Sequence, residues 1–173
     1  VSLCISPERT EARYDKIHLF DVQVNDAVGG YQESKYFEPG TDVVVAKTPF
    51  GNIGLMVCYD LRFPELALSL RQRGANILTA PAAFTYTTGE MHWQLLLQAR
   101  AMDTQCQVLG SAQQGWHGQK RQTWGHTAAT HSLGHVLAHI DTEGAGLITI
   151  PFDLAEQAQI RQRPLYWDIL RKL

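Results

Sequence analysis

GLMVCYDLRFPEL, residues 54–66, is the stretch on which the fold turns. The apolar, β-type run 53–57 delivers Cys58 to the point where a buried-strand pattern gives way to the polar pair Tyr59-Asp60. Pro64 suits a first helical turn. Glu65-Leu66-Ala67-Leu68 then lead to the basic residues Arg71 and Arg73, and Gly74 is a stop signal. Cys58 is therefore expected on a strand-to-helix elbow. Such an elbow exposes a side chain at the carboxyl edge of a sheet and aims the backbone N–H of Tyr59 at an oxygen under attack. A thiol there suits nucleophilic work. The alternative is a small buried hydrophobe, the commoner role of a free cysteine, and Cys58 taken alone favours it.

Working outward, 43–48 and 53–57 flank Pro49-Phe50-Gly51-Asn52, a hairpin turn by composition. Residues 75–80 read as a second buried strand, which makes a strand-helix-strand unit and puts the Cys58 elbow and the loop at Phe84 on one rim. Thr88 is the expected N-cap of a helix running to about Asp103. A strand at 106–112, a Gln- and Gly-rich loop at 113–125 and strands at 127–130, 135–140 and 146–151 follow. A last helix over 154–163 stops at Pro164, and Tyr166-Trp167 are read as docked on a partner. Toward the start, 1–5 and 12–19 read as a strand hairpin. Lys16 lies within its second strand, where a lysine normally faces solvent. Residues 21–40 read as a long loop carrying Gln32-Glu33-Ser34-Lys35. Strands alternate with helices early and crowd together late, which indicates an α/β or α+β class with a sheet covered by helices.

With 173 residues and 45% hydrophobic content, the chain can bury one sizeable core. Its 15 basic and 17 acidic residues are scattered, for a net charge of -2, so no nucleic-acid or membrane-surface footprint is visible. Small molecules or proteins are left as partners. Cys4, Cys58 and Cys106 are odd in number and widely spaced, which fits a reducing cytoplasm better than a disulfide framework or a zinc site. No apolar run approaches the roughly 20 residues of a membrane span. The sequence opens on Val1 within what reads as a strand, so the expectation is of a segment that begins inside a larger domain.

Several ordered motifs resemble the carbon-nitrogen hydrolase, or nitrilase, superfamily. They are YDKIHLFD at 14–21, QESK at 32–35, the elbow at 54–66, His92-Trp93 through Ala99-Arg100-Ala101, and Trp124-Gly125-His126. The resemblance is greatest to the branch that holds deaminated-glutathione amidase and ω-amidase, and the 113–126 loop favours the former. It implies a four-layer αββα sandwich, of which residues 1–173 supply the C-terminal two-thirds as one N-terminally incomplete domain. It also implies Cys58 as nucleophile, Lys16 as the triad lysine, Glu33 as an accessory glutamate and the Tyr59 N–H as oxyanion donor. The expected chemistry is thiolate attack on a small-molecule carboxamide, loss of ammonia and hydrolysis of a thioester. No cofactor or metal is implied, and a homo-oligomer, dimer or larger, is expected.

The resemblance places the general-base glutamate of the family ahead of Val1, and Glu8 and Glu11 do not occupy that context. A catalytically impaired oligomerisation module, and a thiol hydrolase acting on nitriles or thioesters, therefore stand as alternatives. Thr130-His131-Ser132-Leu133-Gly134 replaces an Asp-Pro-Trp-Gly turn usual in the family. Arg62 and Glu65 read as a pair bracing the elbow. His92 and His126 read as structural hydrogen-bonding residues. Cys4 and Cys106 read as core residues, and Cys58 as the reactive thiol because it alone lies at a strand-to-helix elbow with a lysine partner.

Overall fold

The computed structural model of the chain describes residues 1–141 and 144–162. β1 (Ser2–Ile5) and β2 (Thr10–Tyr14) form the antiparallel hairpin expected at the start. The second strand does not run on to Leu19. It stops at Tyr14 because the chain turns around that residue's own hydroxyl, which accepts the Ile17 N–H at 3.1 Å. Lys16 thereby leaves the strand and is only 8% exposed, which corrects the expectation of a solvent-facing strand lysine.

Residues 21–40 are not a plain loop. β3 (Asp21–Gln23) pairs antiparallel with β4 (Gly30–Gln32), and a single 3-10 turn, Glu33–Lys35, follows. The reversal is held by Asp26, whose carboxylate accepts the N–H groups of Val28 at 2.9 Å and Gly29 at 2.8 Å. Gly29 has φ +78°, a conformation open to glycine at little cost.

β5 (Val45–Thr48) and β6 (Gly51–Leu55) make the hairpin read from the sequence. A 3-10 turn over Cys58–Arg62 leads into α1 (Pro64–Gln72), and β7 (Ile77–Thr79) returns parallel to β6. α2 (Tyr86–Thr104) and β8 (Gln107–Gly110) repeat the pattern, with β8 parallel to β7. The cap of α2 is Thr85, whose hydroxyl accepts the Thr88 N–H at 3.4 Å; Thr88 lies inside the first turn instead.

The expected loop at 113–125 contains a second hairpin, β9 (Gln114–His117) and β10 (Arg121–Trp124). β11 (Ala128–Thr130) and β12 (Val136–His139) extend the main sheet antiparallel. Residues 146–151 form no strand. Their last residue, Pro151, is tied to the sheet through a side chain, the Gln107 amide donating to its carbonyl at 3.2 Å. α3 (Leu154–Gln162) closes the described part, and the expected break at Pro164 and the Tyr166-Trp167 tail lie outside the described residues.

The main sheet has the order β12-β11-β8-β7-β6-β5, so the mixed α/β class read from the sequence is present. Gly54, Leu78 and Val108 stand side by side in register, and Gly110 projects to the same side two residues on. Both helices pack on that face. A Cβ built on Gly54 would lie 3.1 Å from Leu70 Cβ of α1, and one on Gly110 would lie 2.6 Å from Trp93 Cζ2 of α2. Leu70, Leu78, Trp93, Leu97 and Val108 are fully buried between them.

Gly110→Ala is expected to lower stability by about 1–3 kcal/mol, because its methyl must displace the Trp93 and Leu97 side chains from a filled layer. Thermal unfolding followed by circular dichroism checks this: a melting temperature unchanged from the parent would show that the helix-to-sheet layer has room to spare.

Candidate active site

Three segments distant in sequence meet at the carboxyl end of the parallel strands. The first is the elbow. Cys58 has φ +51°, a left-handed conformation that costs a non-glycine residue roughly 1–2 kcal/mol. The conformation is clamped from both sides. The Cys58 N–H donates to Pro81 O at 2.9 Å, and the Val57 N–H donates to the Asp60 carboxylate at 2.9 Å.

Asp60 is fully buried, although in the sequence it reads as part of a polar turn. One of its oxygens takes the Tyr14 hydroxyl at 2.7 Å as well as the Val57 N–H. The other takes the His18 N–H at 3.0 Å and lies 2.8 Å from His18 Nδ1. This carboxylate fastens the elbow to the second segment, 14–20, which carries Lys16. The attachment is reinforced by rings: His18 stacks on Phe63 at 3.6 Å, and Phe20 meets Tyr59 edge-on at 5.0 Å. Tyr14, buried beside that negative charge, has its phenol pKa pushed well above the usual range. It stays a hydrogen-bond donor at any physiological pH.

The third segment is the turn after β4. There Glu33 accepts the Lys16 ammonium and, at 2.7 Å, the Phe20 N–H. The β3-β4 hairpin explains how a residue 17 positions along the chain returns to Lys16. Lys16, Glu33 and Cys58 all line one cavity of about 940 Å³, together with Tyr59, Arg62 and the loop through Ala83 and Phe84. All four residues singled out in the sequence are thus brought together.

Burial pushes the Cys58 thiol above its ordinary pKa. The backbone N–H groups of Ala83 and Tyr59 and the charge of Lys16 pull it down, while Glu33 pushes it up. The lysine therefore acts in the expected sense without setting the balance, and the resting group is a thiol. Cys106 also has a cationic neighbour, but an arginine and away from any elbow. Arg161 of α3 donates to Cys106 Sγ at 3.2 Å, although burial again holds that thiol above its usual range. Cys106 is fully buried, as expected of a core residue, and Cys4 packs partly buried against the core.

Arg62 does not pair with Glu65. Its guanidinium approaches His92 Nδ1 at 3.3 Å and lies over the rings of Tyr59 and Phe84 at 5.9 and 5.4 Å, which places it in the cavity wall. His126 has φ +60°, its Nδ1 lies 2.8 Å from Trp124 O, and its carbonyl accepts the Trp93 indole N–H at 2.6 Å. Both histidines are thus engaged in hydrogen bonding. Among the described residues, no group of three or more His, Cys, Asp or Glu is placed to hold a metal ion, and no helix is long and apolar enough to cross a membrane.

The sequence profile of the carbon-nitrogen hydrolase family matches residues 2–162. The chain is 54% identical over 127 residues to deaminated glutathione amidase of Yersinia enterocolitica, covering 73% of this chain and 44% of that protein. It is 46% identical over 152 residues to deaminated glutathione amidase of Mus musculus, covering 87% of this chain and 46% of the relative. It spans less than half the length of both. Among solved structures, Saccharomyces cerevisiae Nit3, a member of branch 10 of the nitrilase superfamily, superposes with a TM-score of 0.78 at 30% identity. That match covers 91% of this chain and 54% of Nit3.

Two outcomes are expected of the site. Asp60→Ala leaves the buried donors of Tyr14, Val57 and His18 without an acceptor, and by the cost of breaking a buried charged network it lowers stability by about 3–5 kcal/mol. Urea unfolding measures this, and a loss under about 1 kcal/mol would mean the network is not what holds the elbow. Because the folded thiol of Cys58 ionises above its usual range, its alkylation by iodoacetamide should still be rising at alkaline pH where a free cysteine has levelled off. Lys16→Met should displace that rise further upward. Mass mapping of the Cys58 peptide across pH checks both, and a displacement in the other direction would reverse the assigned role of the ammonium.

Proposed function

The chain belongs to the carbon-nitrogen hydrolase family, and on that premise we propose that its cavity hydrolyses the carboxamide of a small molecule through Cys58, releasing ammonia. The observation that carries the reading is the convergence of Lys16, Glu33 and Cys58 on one cavity with the N–H groups of Tyr59 and Ala83 facing the thiol. In this reading Sγ attacks the amide carbon, a C–S bond forms, and the carbonyl electrons move onto oxygen. The Lys16 ammonium and the Tyr59 N–H stabilise that oxygen. The C–N bond then breaks, nitrogen leaves as ammonia with the proton that Sγ gave up, and water cleaves the thioester to a carboxylate and the free thiol. Glu33, committed to Lys16 and the Phe20 N–H, positions the ammonium and does not take the proton.

Deaminated glutathione, or a related ω-amide of a 2-oxo acid, is the substrate we favour. The support is the identity to relatives named deaminated glutathione amidase. Three free cysteines support a cytoplasmic working compartment. A homo-oligomer belongs to the same reading. It is supported by the exposed apolar side chains Met91, Leu95 and Met102, which share one face of α2 by their spacing.

Ammonia release from deaminated glutathione, followed by a coupled assay, tests the reaction. Cys58→Ala should abolish turnover. Lys16→Met should lower it about 10²- to 10³-fold, the effect of removing one oxyanion stabiliser. In the parent, an intact-mass shift matching an acyl group on Cys58 should be trapped on rapid acid quench. Turnover that survives Cys58→Ala would overturn the assignment.

A further inference from the structure

Three cationic side chains line the cavity, Lys16, Arg62 and Arg121, against the single carboxylate of Glu33. Two of the three are already engaged. Lys16 is held by Glu33, and Arg62 lies over the rings of Tyr59 and Phe84 with its nitrogens against His92. Arg121 differs. Its Nη2 makes one long contact, 3.4 Å, to Ala83 O, and its Nε is shut away from water with no partner. Among the described residues no carboxylate pairs with it. A guanidinium presents five N–H donors in a planar fork, and this residue, which lines the cavity, uses only one of them in a long contact.

Its position is fixed by backbone. β10 is fastened beside the loop after β7 by a bridge between Thr85 and Thr123 and by the Trp124 N–H, which donates to Phe84 O at 3.0 Å. Ala83 links the two functions, since its carbonyl takes Arg121 and its N–H faces Cys58 Sγ. A single residue, Ala83, thus links Arg121 to the thiol. Across the cavity its charge reaches the Tyr31 phenol, whose pKa burial and Asp26 push up to about 12 while Arg121 pulls it down.

We propose that Arg121 binds the distal carboxylate of an amide whose carboxamide carbon is presented to Cys58, so that the cavity selects acid amides over neutral ones. This rests on the amide-hydrolysis reading above and adds to it the residue that sets substrate charge. Arg121 is a binding residue: it touches the far end of the substrate and none of the reacting atoms.

The test uses glutaramate, an amide with a carboxylate at its far end, and butyramide, a neutral amide of similar length. Each is used to protect Cys58 from iodoacetamide, read by mass mapping of the Cys58 peptide. In the parent protein glutaramate should protect at a concentration about ten- to hundredfold below that needed for butyramide, the range for hydrogen bonds to a charged partner. Arg121→Gln should erase that difference while leaving butyramide protection unchanged. Should Arg121→Gln fail to fold by circular dichroism, Arg121→Lys decides, since a point charge without the fork should lose several-fold in glutaramate protection alone. A parent with no preference for glutaramate, or variants that keep the preference in full, would overturn the proposal. Ammonia release from both amides, measured alongside, separates the two claims. Charge-selective protection without ammonia leaves Arg121 standing and removes the hydrolysis reading. Release from both amides without selectivity does the reverse.

Discussion

The carboxylate of Asp60 sits entirely out of water, and the arrangement of the site depends on how it is satisfied. A buried carboxylate without partners is costly enough that the chain must supply donors, and it does so from Tyr14, Val57 and both nitrogens offered by His18. Those donors come from two segments more than 40 positions apart, so satisfying one charge docks the Lys16 segment onto the Cys58 elbow. The unfavourable φ of Cys58 follows from the same constraint. Val57 is held by Asp60 on one side and Cys58 by Pro81 on the other, which leaves the intervening backbone little choice.

The parallel core of the sheet supplies the other half of the site. β6, β7 and β8 run in one direction, and the segments leaving their carboxyl ends stay joined beyond the ladder. Cys58 bonds to Pro81, Ala82 bonds to Ser111, and Ala82 bridges Ala112. Parallel strands place such segments side by side at a crevice, which is where ligands sit in α/β sheets. The β9-β10 hairpin is joined to the crevice through Thr85 and Phe84, which brings Arg121 to the cavity wall.

What was legible in the chain follows the range of the interactions. The elbow, the β5-β6 hairpin and the β6-α1-β7 unit are set by local periodicity, Pro64 and Gly74, and they were read at nearly their observed bounds. Lys16 and Glu33 are legible as site residues through a family resemblance, while the burial of Lys16 depends on a contact spanning 17 positions. Lys16 reads as a strand residue because the alternation through Ala12 and Tyr14 continues in the sequence. The turn that ends it is made by a side chain, the Tyr14 hydroxyl. Asp60 went unnoticed because an aspartate after an aromatic is ordinary turn composition, and its partners lie 42 and 46 positions away. The two missed hairpins are three and four residues per strand and carry few β-branched side chains, so period-2 reading had little to work on. Arg121 had no signal of its own: a basic residue in a polar stretch differs from Lys120 only by what the fold puts around it.

The balance of charges at Cys58 bears on why the lysine is paired at all. If Lys16 served to ionise the resting thiol, a neighbouring carboxylate would work against it, and Glu33 does raise the pKa that Lys16 lowers. Burial decides the outcome in favour of the neutral thiol. Under the amide-hydrolysis reading the pair has a different use. A buried ammonium without a counter-charge is expelled to solvent or loses its proton. Held by Glu33, the ammonium is fixed beside the place where the amide oxygen gains negative charge. Stabilisation by a fixed donor is strongest when no reorganisation is needed at the moment of reaction. Glu33 thereby lowers the acidity of the resting nucleophile while keeping in place the group that stabilises the charged intermediate. Such a site favours the step over the resting state, because the thiol gives up its proton only as the substrate arrives to receive the electron pair.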